Sequence, residues 1–334
     1  MAELRRDPIV GRWVIVDTDH PSSPEGFEYE QYIPKGAGVC PFCYGNESQT
    51  PPEIECFRQP GTAPNTSGWQ VRVVSNKFPA LQVEGELDRR GLGIYDLSNG
   101  IGAHEVLVES PYHMKDISDL LNKEIEDVVR MSCRRSNDLS KDKRFKYIMI
   151  FRNYGSAAGA SLEHPHTQIV ALPMIPKNVA EEISGAKNYF DYRERCIFFF
   201  FFMQETQEKD RIIFENKYFI SFCPFVSRFP FELWIMPKKH SGYYCQMSEE
   251  EIPALASILK DTIARIKKVF VNLSYNYIIH TSPINGDGDV DYYHWHIEFM
   301  PKLTRVAGFE WGTGFYIDPT SPELAAQYLK AIKD

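Results

Sequence analysis

The sequence predicts an α+β fold in which one unit, an antiparallel set of strands with helices packed on it, is written twice. Three observations carry this expectation. Strand-like segments recur in one order: SNKFPAL, HEVLVESPYH, KYIMIFRN and HPHTQIVALP in the first half, then ENKYFIS, FELWIMPKKH, YNYIIH and HWHIEFMP in the second. The histidines keep their spacing, with 51 positions from His113 to His164 and 54 from His240 to His294, a difference of one short loop. Between the strand pairs of each copy, apolar residues change from alternating or continuous runs to a helical period.

In chain order, strands near 75–81 and 104–113 lead into a helix marked by Ile117, Leu120, Leu121, Ile125, Val128 and Val129. Strands over Lys146–Asn153 and the segment after His164 close a first unit, residues 1–185. A connecting stretch, NYFDYRERCIFFFFFMQETQEKDR, carries Phe198–Phe202, an apolar run that must be buried. The second unit, residues 186–334, repeats the pattern. Its helix opens on the capping-box pair Ser248 and Glu251, ahead of Ile252, Leu255, Ile258, Leu259, Ile263 and Ile266. A last helix is predicted from Ser321, with Pro322 in its first turn.

At 334 residues and 43% apolar composition, the chain can fill one large core or two ordinary ones. It has no run of eighteen apolar residues, and its start, MAELRRDPIVGRWVIVD, has charges where a signal peptide needs an apolar stretch. The expectation is a cytoplasmic protein with no membrane partner. Seven cysteines, an odd number without a secretion signal, point to reduced thiols or metal ligands. A formal charge of −8 disfavours a nucleic-acid surface. Any phosphate must then be held locally, which points to a small ligand.

Cys40-Pro-Phe-Cys43 sets two thiolates on one tight turn, the bite a tetrahedral Zn²⁺ accepts. No second Cys-x-x-Cys is present to complete the site, and the repeat nominates His113 and His164. In the second copy Cys196 aligns with Cys40, but Phe199 stands where the second cysteine would be. The stretch GASLEHPHTQ, residues 159–168, then places His164 and His166 on either side of a proline that favours extended backbone. Residues i and i+2 of such a segment share a face. With His164 tied to metal, His166 is free to present a neutral ring nitrogen as nucleophile toward phosphorus. Gln168 shares that face and can donate to phosphate oxygens. Gly155, Ala157, Ala158, Gly159 and Ala160 permit close approach of backbone to a phosphate, with Asn153 and Ser161 as further hydrogen-bonding groups.

CPFC, SPYH, GASLEHPHTQI and HWHIEFMPKL, in this order, resemble the galactose-1-phosphate uridylyltransferases of the histidine-triad superfamily, over nearly the whole chain from Arg6–Val16 to the last helix. The resemblance implies two tandem histidine-triad units sharing one sheet, a homodimer, and nucleotidylation of His166 during transfer between a sugar nucleotide and a hexose 1-phosphate. It implies Cys40, Cys43, His113 and His164 as zinc ligands and Asn153, Gly159, Ser161 and Gln168 at the nucleotide phosphates. Asn76 and Phe78 match a segment lining the nucleoside pocket. It also implies a second metal, zinc or iron, on Glu182, His280, His294 and His296, against a rival set of Cys196, His240 and His294 that lacks a fourth ligand. Two departures stand out: Lys77 where an aspartate is common, and AGFEWGTGFYIDP (Ala307–Pro319) at the hexose segment. The latter looks more like the adenylyl-transferring sugar-nucleotide phosphorylases. UDP-glucose is the expected donor, with an ADP-glucose phosphorylase-like reaction through the same histidine as the alternative.

Overall fold

The computed structural model describes residues 1–36, 38–113, 115–286 and 290–332. The strands of the first half are β1 (Glu3–Arg6), β2 (Trp13–Val16), β3 (Glu53–Arg58), β4 (Trp69–Ser75), β5 (Arg90–Leu92), β6 (Tyr95–Leu97), β7 (Ala103–Val108), β8 (Tyr147–Tyr154) and β9 (His166–Leu172). Those of the second are β10 (Ile212–Glu215), β11 (Phe219–Phe222), β12 (Leu233–Pro237), β13 (Tyr275–His280), β14 (His296–Pro301) and β15 (Tyr316–Asp318). The helices are α1 (Asn122–Leu139), α2 (Lys177–Arg193), α3 (Ile197–Glu208), α4 (Glu251–Val269), α5 (Gly308–Thr313) and α6 (Pro322–Ala331).

Ten strands join in one antiparallel sheet of order β10-β11-β12-β14-β13-β8-β9-β7-β4-β3. The order reads as a palindrome of the repeat, and the halves meet where β8 pairs with β13, Asn153 opposite Asn276. The fold class is the predicted α+β arrangement. The division at 185/186 falls inside α2.

Alternation decides which face each strand residue serves. Leu107, Ile150, Ile169, Ile235 and Ile297 point into the main core, where α1 and α4 lie side by side on the sheet. The opposite face differs between halves. Behind the second half, α2 and α3 cover it, and the phenylalanine run supplies Phe198 and Phe202 to a buried cluster with Phe222, Trp234 and Met236. Behind the first half, a smaller cluster of Phe42, Trp69, Val74, Val106 and Val108 packs there with the cysteine turn. That face is left partly open.

Helix starts shift slightly from expectation. Ile117–Asp119 forms a single 3₁₀ turn capped by Asp116, and α1 begins only at Asn122. At α4 half of the capping box forms: the Glu251 carboxylate accepts from the Ser248 backbone N–H at 2.6 Å, while no side chain caps the helix from the other direction. At α6 Ser321 Oγ accepts from Leu324 N–H, and Pro322 opens the first turn as predicted.

Candidate active site

The two histidines of the HPH stretch have different hydrogen bonds, and these set their chemistry. His164 Nε2 donates to the carbonyl of Ser110 at 2.7 Å, which leaves Nδ1 as its lone-pair nitrogen. His166 does the reverse. Its Nδ1 donates to the carbonyl of His164 at 2.8 Å, so the free nitrogen is Nε2. Burial, helped by the Arg152 guanidinium, holds the His166 pKa below the ordinary imidazole value. His166 is therefore a neutral base at physiological pH.

The strand that carries it is clamped from the far face. Thr167 Oγ1 donates to Glu109 at 2.7 Å, and Arg152 Nε donates to the same carboxylate at 2.9 Å. Arg152 also reaches Asp116 at 2.7 Å, which Lys267 holds at 2.9 Å. These buried charges are paired throughout, so the network fixes β9 instead of leaving an isolated ion in the core.

His164 Nδ1 stands 3.7 Å from Cys40 Sγ and 3.5 Å from Cys43 Sγ, and His113 Nδ1 stands 3.4 Å from Cys43 Sγ. All four donor atoms lie within 4.8 Å of one another. Tetrahedral Zn²⁺, with Zn–S near about 2.3 Å and Zn–N near about 2.0 Å, needs ligand separations of roughly 3.3–3.8 Å. The donor set fits such an ion, which would brace the start of β9 and carry no reacting group.

A cleft of ≈ 650 Å³ opens beside His166, walled by Phe42, Val106, Asn76, Phe78, Ser161 and Gln168 among others. Lys77 also lines it. Phe78 is 83% exposed and stands at the rim, where a flat base could be covered. Two of the expected phosphate positions stand outside this wall. Asn153 Oδ1 accepts from Asn276 Nδ2 at 2.8 Å, and the same Asn276 amide reaches the Ala158 carbonyl at 2.9 Å, which ties down the small-residue turn from behind. Gly155 and Gly159 bracket that turn with φ of 84° and 82°, and a Cβ on Gly155 would meet Ser274 Oγ at 2.1 Å. The glycines are required by the turn itself.

The second half repeats this geometry with other residues. His294 Nε2 donates to the Pro237 carbonyl at 2.9 Å, as His164 does to Ser110, and His296 Nδ1 lies 3.1 Å from the His294 carbonyl, as in His166. The free nitrogens of the two rings thus point to different places. The expected set Glu182, His280, His294 and His296 is not brought together. His294 gathers with Cys196 and His240, while Glu182, His280 and His296 gather with Glu298, which sequence reasoning missed. The anchor-and-nucleophile logic of the first copy, carried to the second, separates His294 from His296. It also flags Glu298 as the counterpart of Gln168.

In this second cluster His280 lies 3.1 Å from Glu182 and 3.3 Å from Glu298, and Tyr293 OH donates to Glu182 at 2.8 Å. Despite burial, the two carboxylates raise the His280 pKa to about 10. Two carboxylates and two imidazoles suit an oxygen- and nitrogen-loving ion such as zinc or iron. The Cys196, His240 and His294 set offers three donors. Where the first half has its cleft, the second is filled: Trp234, at the position of Val106, stacks on His296 at 4.5 Å, and Phe198, at the position of Phe42, packs on the same ring at 5.3 Å. Among the described residues, the open space beside a second histidine belongs to the first copy.

An imidazole held neutral, with its one free nitrogen beside an open cleft, is suited to capturing a phosphoryl group covalently. With the duplicated sheet, it makes the protein an enzyme of the histidine-triad-like nucleotidyltransferase class. Over 336 residues the chain is 35% identical to the ADP-glucose phosphorylase of Arabidopsis thaliana, covering 99% of this chain and 93% of that protein. It is 30% identical over 338 residues to the galactose-1-phosphate uridylyltransferase of Thermotoga maritima, covering 99% and 98%. The solved ADP-glucose phosphorylase of Arabidopsis thaliana with bound ADP-glucose superposes with a TM-score of 0.83 at 34% identity, each chain fully covered. A solved uridylyltransferase gives 0.76 at 28%, covering 99% of this chain and 98% of that one. Residues 112–333 match the domain of unknown function DUF4921. The chain belongs to that family, and to the wider family that joins the ADP-glucose phosphorylases with the galactose-1-phosphate uridylyltransferases.

Proposed function

We infer that the protein is an adenylyltransferase of the ADP-glucose phosphorylase kind, a reading that departs from the uridylyl transfer first expected. The observation that carries it is the 35% identity to an ADP-glucose phosphorylase along 99% of the chain, against 30% for the uridylyltransferase from Thermotoga maritima. Lys77 on the cleft wall and the Ala307–Pro319 segment support it.

In this reading His166 Nε2 attacks the α-phosphorus of ADP-glucose, and a nitrogen–phosphorus bond forms as the bond to glucose 1-phosphate breaks. The leaving oxygen carries the electron pair away. Inorganic phosphate then attacks the same phosphorus, ADP departs, and His166 is restored. Ser161 and Gln168 meet the charge on the non-bridging oxygens. Zinc on Cys40, Cys43, His113 and His164 supplies rigidity.

Incubating the protein with ADP-glucose alone, and separately with UDP-glucose alone, then weighing the intact chain, tests this. One adenylyl group per chain from ADP-glucose, displaced on adding phosphate, is the expected result. Labelling by UDP-glucose only, with discharge to galactose 1-phosphate, would overturn the adenylyl reading and restore the uridylyl one.

A further inference from the structure

His104 belongs to the HEVLVESPYH segment but takes no part in the cysteine–histidine site. On β7 it pairs with Val170 of β9, while Gln168 pairs with Val106, so His104 and Gln168 are diagonal neighbours on one face. The backbone N–H of Ala80 donates to His104 Nδ1 at 3.2 Å. That nitrogen must therefore be unprotonated, and the ring proton sits on Nε2. Nε2 lies 2.8 Å from Gln168 Oε1 and donates to it.

The consequence reaches the cleft. With its carbonyl held by His104, Gln168 turns its NH₂ group toward whatever lies beside His166. Asn76 is set independently: its Oδ1 accepts from Phe78 N–H at 2.9 Å. Its Nδ2 stands 3.1 Å from His104 Nε2, and with the ring proton there that contact sets two donors side by side and is no hydrogen bond, so Phe78, not His104, orients the Asn76 amide. The opposite tautomer would set an Nδ1 proton against the Ala80 N–H and let Gln168 present its carbonyl to an anion.

We propose that His104 is a positioning residue, whose Nε2–H tautomer, set by the Ala80 amide, fixes Gln168 as a donor to the phosphoryl group transferred through His166. It rests on the nucleotidyl-transfer reading but not on which base is transferred. The second half serves as an internal control. There Glu298 stands at the position of Gln168, and Arg228 bridges its carboxylate to that of Glu232. The His104–Gln168 pair occurs in the half with the open cleft, and Glu298 is ion-paired where the space is filled.

The test is a double-mutant cycle on the single-turnover rate of labelling by whichever sugar nucleotide labels the wild type, with the ¹⁵N imidazole signals of His104 recorded in the free protein. His104→Phe is expected to slow labelling by about 10- to 100-fold, and by less than about twofold when Gln168 is already alanine. His104→Gln, which restores a donor at Nε2, is expected to keep the rate within about threefold of wild type. The ¹⁵N signals should show a bare Nδ1 and a protonated Nε2. An equal cost in both backgrounds, a loss in a folded His104→Gln protein, or a protonated Nδ1 would overturn the proposal. Should neither ADP-glucose nor UDP-glucose label the wild type, the function assigned above fails, while the tautomer measurement still decides the geometry.

Discussion

Replacing His166 by asparagine is expected to abolish the covalent nucleotidyl adduct and to lower turnover by at least about 10⁴-fold, because it removes the neutral ring nitrogen that the cleft leaves free for attack. Asparagine keeps a hydrogen-bonding side chain near the His164 carbonyl, so the thermal midpoint should change little. Intact mass after incubation with ADP-glucose, beside a melting curve, separates loss of chemistry from loss of fold. The pH dependence of the wild type gives a second measurement on the same nitrogen. Burial depresses the His166 pKa, which means the neutral, reactive form persists to lower pH than in a free imidazole. The labelling rate should therefore decline in acid with a midpoint below the free-imidazole value of about 6.5. A rate that halves near 6.5 would mean that His166 is solvated, contrary to its packing under Phe42.

How much of this was legible in the sequence depends on which physical rule each feature obeys. The duplicated strands could be read because burial on two faces writes itself as apolar runs, and α6 because Ser321 and Pro322 are local signals. That His164 gathers with the two cysteines while His166 lines the cleft accords with extended backbone and a metal-type donor set at the first of the two. The grouping of His294 departs from the expected one. Sharing a strand face does not suffice for two rings to share an ion: the carbonyl each ring bonds decides where its free nitrogen points. Glu298 was hidden by the same step. His104 escaped because its partner Ala80 offers a backbone N–H, which no residue type records. The filling of the second cleft was visible in part as the Phe198–Phe202 run, but that Trp234 would stack on His296 needed the register of β12 against β14.

Cys43→Ser is expected to release one equivalent of zinc and to lower the unfolding midpoint by on the order of 10 °C. Burial, and after it the neighbouring Cys40, push the Cys43 thiol up to about 11, so without a metal Cys43 stays protonated at neutral pH. Binding must expel that proton, and the affinity must weaken as pH falls. His164 adds a second dependence of the same sign. Burial holds its pKa at about 4, below the unfolded value of about 6.5. Between those values the unfolded chain binds more protons than the folded one, so stability rises with pH across that window and is lost as pH drops through it. Acidification and chelation should thus act together on the first half, where the cysteine turn and His164 hold the start of β9. The ten-stranded sheet retains its main core, so the variant should unfold at a lower temperature and not be unfolded outright. Metal analysis with calorimetry at pH 5 and pH 8 checks this. The metal content of the Glu182 and Cys196 clusters should be unchanged by Cys43→Ser, because those donors lie in the other half of the sheet. A variant that keeps all its zinc, or melts where the wild type does at both pH values, would show that the four residues form no metal site.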